Sequence, residues 1–487
     1  MSEGLRIYDI KNALGKSCYS AMVDMVKKHD KQNYKKPDFS TVRIIMLTFL
    51  AVILIGTILL MLPVSTASGK WCPFLTALFT ATTSTCVTGL VVVDTFSYWS
   101  LFGKVIILLM IQIGGLSVVI LWARIMMMLH KRFSLRFHML IRDYFNMDNL
   151  QGISKFMKRV VEGTLIVEGA GALLYSLILI PRYGFFKGLW TSVFTSVSAF
   201  CNAGIDIFGQ DSLLPFQTSL PMNFITILLI IMGGLGFFVW FDVIRTFREC
   251  RKMKIGFRNY FGRLHEHSKL VLAFSLVLIV SGTLIVYIGE FRNPATIGDM
   301  SFGGKALASF FQSVTFRTAG FSTVPQQELT PFTCIAGLFY MMIGGSPAGT
   351  AGGIKTVTAA VLFMSAVSYI RQEKETVIFK RTIPHQMISR AIAIIVINLA
   401  MTTLFIELLL LTNDVPVLSA VYEIFSATGT VGLSRALTPS LNPAGQVVVI
   451  LAMYAGRITP ISMVMFFIDG SQTKNNIRYP EGKFLVG

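Results

Sequence analysis

The chain has 487 residues, 53% of them hydrophobic and 14% charged, with a mean hydropathy of +0.65. Soluble domains carry about 25% charged residues, so this composition excludes an ordinary soluble protein and indicates a membrane one. A formal charge of +18, from 43 Lys and Arg against 25 acids, would suggest a nucleic-acid partner in a soluble protein, but its distribution assigns it elsewhere.

Residues 1–40 are polar with charges of both signs and lack the short apolar core of a cleavable signal. They are predicted to form a cytoplasmic extension with a helix around 10–26. Crossing a hydrocarbon core takes about 20 helical residues. Uncharged stretches of that order follow at 44–62, 105–123, 212–241, 270–289 and 436–456. Two more, 160–181 and 387–412, are interrupted by Glu162 and Glu168 and by Arg390 and Glu407, and 329–370 is uncharged except for Lys355. Together they predict eight crossings. The segments 1–43, 124–159, 245–269, 371–390 and 474–483 hold 33 of the 43 basic residues. Lys and Arg are retained on the cytoplasmic side, so both termini, including a tail over 471–487, are predicted to be cytoplasmic in a multi-pass cell-membrane protein. The positive charge is then a topological bias, with contact to membrane lipid or an acidic partner, and no nucleic acid is expected. The six cysteines contain no CxxC pair, and neither a disulfide framework nor a metal site is predicted.

The four connections on the opposite side repeat one pattern. Residues 71–90 read WCPFLTALFTATTSTCVTGL, 189–205 read LWTSVFTSVSAFCNAGI, 307–321 read LASFFQSVTFRTAGF and 418–433 read LSAVYEIFSATGTVGL. Each reads as a short amphipathic helix followed by a small-residue strand with a glycine next to its last residue. Those glycines, Gly89, Gly204, Gly320 and Gly432, are spaced by 115, 116 and 112 residues. A second landmark, in QIGGLS, IMGGLG, MIGGSP and YAGRIT, places Gly115, Gly234, Gly345 and Arg457 at 26, 30, 25 and 25 residues beyond them.

The predicted fold is therefore an all-α membrane protein of four pseudo-symmetric helix, re-entrant loop, helix repeats around a single central pore, with eight spans and four re-entrant pore helices. The repeats cover 41–130, 155–247, 268–370 and 387–470, with filter strands at 86–90, 201–205, 317–321 and 429–433. Units of one orientation pack around an axis along the membrane normal. Backbone that is neither helix nor barrel strand is tolerated at membrane depth only where it is buried in protein or lines water, so four such strands imply a pore. Glycine admits positive φ at little cost, which lets successive carbonyls face one axis, and carbonyl rings can replace a cation's hydration shell. Half-helices of roughly 12 residues, about 18 Å long, would aim their negative C-terminal ends at the centre. The carbonyls of Val87, Thr88 and Gly89, of Asn202, Ala203 and Gly204, of Thr318, Ala319 and Gly320, and of Thr430, Val431 and Gly432 are the candidate cation ligands, with strand shape mattering more than side chains.

The four re-entrant loops, their glycines and the segment IGGSPAGTAGGIKT in the third unit resemble the Trk/Ktr/HKT potassium transporters, over nearly the whole chain from about residue 41. The likeness is greatest to the eight-span KtrB-type membrane subunit, with short Trk-type members an open alternative. The resemblance implies potassium uptake through one pore per chain, a homodimer, and a cytosolic nucleotide-binding ring of KtrA or TrkA type that gates it. The nucleotide is expected on that partner, and no cofactor in this chain. In the family a serine replacing the first-loop glycine goes with sodium selectivity. Gly89 stands there, so potassium is favoured and sodium coupling stays open.

Within 344–353, GGSPAGTAGG, the proline removes a backbone donor and the glycines weaken helix, so a break is expected. It reads as a gate loop beneath the filter, built from Gly344, Gly345, Ser346, Gly349, Gly352 and Gly353, with Lys355 anchoring its end. Arg457 replaces the landmark glycine and would face the pore or tie down that loop, the alternative being a pair with Glu168 or Glu407. Arg317 is expected to point away from the pore and brace the filter through Asp206 or Glu290. Glu168, Glu290 and Glu407, 36, 30 and 25 residues before their filter glycines, form no symmetric ring and are expected to partner buried polar groups. His265 and His267 read as solvated residues near a helix end. The basic run Arg245, Arg248, Arg251, Lys252 and Lys254 reads as topology and lipid contact, with a docking face for a regulatory ring as the weaker alternative. An enzyme using Ser346 is disfavoured, because all six histidines fall in predicted cytoplasmic segments or at their edges and leave no base beside it.

Overall fold

The computed structural model describes residues 41–117, 120, 153–209, 212–254 and 260–458. The expected extension over 1–40 with its helix, most of the basic segment 124–159 and the tail over 471–487 lie outside the described residues. Residues 45–468 form one compact unit. Its main helices are, in chain order, α1 (Thr41–Met61), α2 (Phe74–Cys86), α3 (Leu101–Leu116), α4 (Ile153–Tyr183), α5 (Phe185–Cys201), α6 (Leu220–Leu235) and α7 (Phe237–Lys252). After these come α8 (Glu266–Glu290), α9 (Phe302–Phe316), α10 (Pro331–Met342), α11 (Thr356–Ile370), α12 (His385–Thr412), α13 (Val417–Gly429) and α14 (Pro443–Ile458). A two-stranded hairpin of Val377–Ile378 and Arg381–Thr382 lies between α11 and α12.

Four helices, α1, α4, α8 and α12, are long and apolar enough to cross a membrane unaided. They are the first helices of the four sequence units. On α1 the apolar residues run all the way round: Phe49, Ile53 and Leu60 are buried, while Leu47, Leu54, Ile55 and Ile58 are exposed. Such exposure suits contact with lipid rather than water. The second helices differ from the eight crossings expected, of which only the one holding 344–353 was expected to break. α3 stops at Leu116, where Ser117 takes φ 71°. α6 stops at Leu235, and α7 leaves it at an angle of 99°. α10 and α11 are separated by 343–355. The sequence signalled only the last of these breaks.

Packing between units is cyclic. Besides its own partners, α3 packs on α5, α6 on α9, α10 on α13, and α14 on α2. The second helix of each unit thus leans on the short helix of the next, and the fourth returns to the first. The paired glycines explain how the second helices approach so closely. A Cβ placed on Gly114, Gly233 or Gly456 would strike the carbonyl oxygen of Thr85, Phe200 or Thr428 respectively, in each case the residue four before that unit's filter glycine. No side chain fits between these backbones.

That contact generates a test. Replacing Gly456 with Ala forces the Thr428 carbonyl to shift and should cost about 1–3 kcal/mol by overpacking, seen as a lower apparent Tm of the detergent-solubilised protein. Gly169→Ala, on α4 with nothing within 4 Å of the added Cβ, should leave the melt unchanged or slightly raised.

Candidate functional site

Each short helix ends where a residue enters the left-handed region. Val87, Asn202, Thr318 and Thr430 have φ of 55°, 59°, 66° and 52°, and the glycines two residues on, Gly89, Gly204, Gly320 and Gly432, have 102°, 63°, 80° and 92°. The paired positive φ values turn the backbone from helix into an extended return, and the glycine position is one an L side chain rarely tolerates.

The four returns meet. A Cβ on Gly89 would come 2.5 Å from the Ala203 carbonyl oxygen, one on Gly204 2.7 Å from that of Ala319, and one on Gly320 2.7 Å from that of Val431. A Cβ on Gly432 would strike the carbonyl oxygen of Thr88 and closes the ring. A hydroxyl from the last turn of each helix fixes its strand from behind. Thr83 and Ser426 accept from the Gly89 and Gly432 N–H groups, each at 3.0 Å. Ser198 and Thr315 instead donate to the Ile205 and Phe321 carbonyls at 2.5 and 2.6 Å. These braces went unnoticed in the sequence, although the Ser/Thr spacing carries them. The hydroxyls of Thr88, Thr318 and Thr430 are buried and have no protein partner, so oxygen side chains join the carbonyls in the strands.

A cavity of about 640 Å³ opens on one side of this ring, lined by all four glycines and by Asp94 and Asp206. Asp94 caps the turn beginning at Thr95 by accepting from the Phe96 and Ser97 N–H groups. Asp206 accepts from the Phe208 N–H and the Ser212 hydroxyl. Two carboxylates at such a mouth raise the local concentration of cations. Behind the fourth strand, the buried Glu423 carboxylate accepts from the Ser434 hydroxyl at 2.7 Å and from that of Thr438.

A narrower cavity of about 120 Å³ is lined by Gly349, Gly352, Gly353, Lys355 and Arg457, among others. The loop 343–355 separates it from the filter ring. A Cβ on Gly352 would strike the Thr430 hydroxyl, so the loop presses directly on the fourth strand. The loop is held by Ser346 N–H donating to Gly234 O (2.8 Å) and Thr350 N–H to Gly233 O (3.1 Å), while Phe237 N–H donates to Ala348 O (3.0 Å). The Thr350 hydroxyl donates to Phe200 O at 3.0 Å. Arg457 donates to Thr350 O and Gly114 O at 2.6 and 2.5 Å, so the structure puts it on the loop rather than in a pair with Glu168 or Glu407. Lys355 donates to Ala351 O at 2.8 Å. The Ser346 hydroxyl is engaged with that of Thr356 at 2.8 Å.

Other expectations are corrected. Arg317 does lie away from the mouth, but no acid meets it. It donates to the Ser275 hydroxyl and the Gly344 carbonyl, each at 3.4 Å, while Asp206 and Glu290 bond to polar groups of their own surroundings. Glu290 accepts from Asn293, Thr296 and Thr330, and Glu168 accepts from Gln112 and Cys201, as carboxylates partnering buried polar groups should. Glu407 departs from this: it is exposed near the end of α12, where a long side chain reaches outward along an apolar surface. His265 precedes α8, and its Nδ1 lies 2.9 Å from Asp242. His267 is half-buried rather than solvated. Among the described residues, no group of His, Cys, Asp and Glu suits a metal.

The four returns thus form a closed ring of backbone contacts, with a cavity lined by Asp94 and Asp206 beside it and the loop 343–355 pressed on its fourth strand. The family model described as "Cation transport protein", TrkH, matches residues 10–478, and the chain belongs to this family of cation transporters. It is 38% identical over 449 residues to "Ktr system potassium uptake protein B" of Bacillus subtilis strain 168, spanning 92% of this chain and 97% of that one. It is 33% identical over 453 residues to "Potassium/sodium uptake protein NtpJ" of Enterococcus hirae, with the same shares. The crystal structure of the potassium transporter TrkH from Vibrio parahaemolyticus has the same fold, with a TM-score of 0.70 over 90% of this chain and 86% of that one at 16% identity.

The brace behind the first strand is testable. Thr83→Val keeps the shape and leaves the buried Gly89 N–H unpaired, a loss of about 1–3 kcal/mol. Discrimination between rubidium and sodium in a flux assay should fall about tenfold. Thr82→Val, whose hydroxyl bonds only Leu78 O within its own helix, should leave it unchanged.

Proposed function

We propose that this chain takes up potassium across the cytoplasmic membrane, through one pore formed by four pseudo-symmetric units and closed from within by the loop 344–353. The observation that carries this reading is the closed ring of glycine contacts, in which each of Gly89, Gly204, Gly320 and Gly432 touches the strand of the next unit. Oxygen ligands supplied by four equivalent strands suit a monovalent cation stripped of water. The relatives named for potassium uptake support the choice of ion. The wide mouth with Asp94 and Asp206 faces the outside and both termini the cytosol, in agreement with the basic segments. A homodimer working with a cytosolic nucleotide-binding ring completes the reading, by analogy with the Ktr systems that the relatives' names denote.

A second reading, sodium-permeable or sodium-coupled transport, is favoured by the relative named for both ions. Rubidium uptake into liposomes holding the full chain separates them. External potassium should compete far better than sodium, and equal competition would refute selective potassium transport. Gly89→Ser puts a side chain on a residue at φ 102° against the Ala203 carbonyl, so it should raise sodium permeation relative to potassium.

The loop makes a separate prediction. Arg457→Gln removes charge-assisted bonds to Thr350 O and Gly114 O, each of about 1.5–3 kcal/mol. Rubidium flux without any partner should rise about tenfold or more, and unchanged flux would remove Arg457 from the gate.

A further inference from the structure

Helix α7 belongs to none of the four short helices, and of its residues Phe237 alone lines the narrower cavity. Its first residue is bound to the gate loop: Phe237 N–H donates to Ala348 O at 3.0 Å, and a Cβ on Gly236, at φ 86°, would strike Pro347 O. α6 has 16 residues and rises about 24 Å, most of the roughly 30 Å hydrocarbon core. The turn of 99° therefore sends α7 along the inner boundary of the membrane.

The faces of α7 agree with that course. Val239, Asp242, Thr246 and Cys250 are buried at helical spacing. Asp242 ties this face to the start of α8 by accepting from the His265 N–H at 2.9 Å. On the opposite side Ile244 and Phe247 are 44% and 57% exposed, and Arg248 and Arg251 lie beside them, also exposed. Arg245 is taken by Asp242 and Glu249 at 2.7 and 3.8 Å, whereas no ion pair engages Arg248 or Arg251 among the described residues. Large apolar side chains interleaved with free arginines on one face are what an interfacial helix presents to anionic lipid.

We propose that the Ile244, Phe247, Arg248 and Arg251 face of α7 binds anionic lipid headgroups of the cytoplasmic leaflet and, through the Phe237 to Ala348 bond, latches the gate loop closed. The latch rests on the reading of 344–353 as a gate, and the lipid contact does not. Anionic lipid holds α7 flat, which keeps Phe237 against the loop. A basic residue near an anionic surface contributes about fivefold in binding, so two set a ceiling of about 25-fold on the gate equilibrium.

The full chain is reconstituted in phosphatidylcholine vesicles with and without phosphatidylglycerol. A tryptophan placed by Phe247→Trp reports lipid contact by quenching with brominated lipids, and rubidium uptake reports the gate. Quenching of the added emission should be stronger with brominated phosphatidylglycerol than with brominated phosphatidylcholine, and Arg248→Gln with Arg251→Gln should abolish that preference. Phosphatidylglycerol should slow uptake several-fold in the wild type and have no such effect on the double variant. No quenching at Trp in place of Phe247, or a preference untouched by the double substitution, overturns the lipid site. Lipid preference with uptake indifferent to lipid overturns the latch. A double variant that keeps its lipid preference but no longer responds to an added cytosolic partner assigns the face to that protein and overturns the proposal. Absence of rubidium uptake in every membrane refutes the transport reading while quenching still decides the lipid contact.

Discussion

Four strands of non-helical backbone sit inside an apolar protein, and their polar groups have to be either satisfied or used. An unpaired buried N–H costs about as much as a lost hydrogen bond or more, and the chain pairs these donors by local means. Thr88, Ala203 and Val431 donate to carbonyls five residues back, and Val87, Asn202 and Thr430 to carbonyls three back. Thr83 and Ser426 take the glycine N–H groups. With those donors bound, the hydroxyls of Thr88, Thr318 and Thr430 remain without a protein partner. The left-handed residues, the glycines and the hydroxyls of the preceding turn are three parts of one solution to a single problem of satisfaction.

The loop 343–355 solves a second problem of the same kind. A helix that stops leaves its last carbonyls without donors, and α6 stops inside the protein. Ser346 and Thr350 in the gate loop donate to its Gly234 and Gly233 carbonyls. Phe237, at the start of the next helix, gives its own orphan N–H back to Ala348. Two broken helices from adjacent units therefore complete each other, and Arg457 from the fourth unit adds a bond to Thr350 and one to Gly114 of the first. The loop also touches Thr430 and, through Arg317, the end of the third short helix, so it shares contacts with two of the four returns.

Much of this was legible in the chain because repetition amplifies weak local signals. One glycine beside a small-residue strand says little, but four at near-constant spacing fix the strands, and all four take the positive φ their reading required. The break at 344–353 was legible from proline and glycine. The breaks at Ser117 and Gly236 were not, since neither QIGGLS nor IMGGLG carries a proline, and the right-angle turn at Gly236 goes with its tertiary partner, the loop 343–355. Arg317 was paired with an acid on charge grounds alone. In the structure Asp206 and Glu290 bond to polar groups of their own surroundings, and the guanidinium meets a hydroxyl and a carbonyl. Glu407 looked like its buried counterparts because a sequence does not show which side of an all-apolar helix faces the protein.

The departures from fourfold repetition concentrate in the third unit. There Arg317 ends the short helix at φ −85° and ψ 57°, Ala319 donates to Thr315 four residues back rather than five, and the bracing hydroxyl sits one residue nearer its glycine. That offset places the Arg317 side chain against Gly344, the first glycine of the gate loop. The residue that marks the third unit's departure, Arg317, is the same one that touches the loop 343–355.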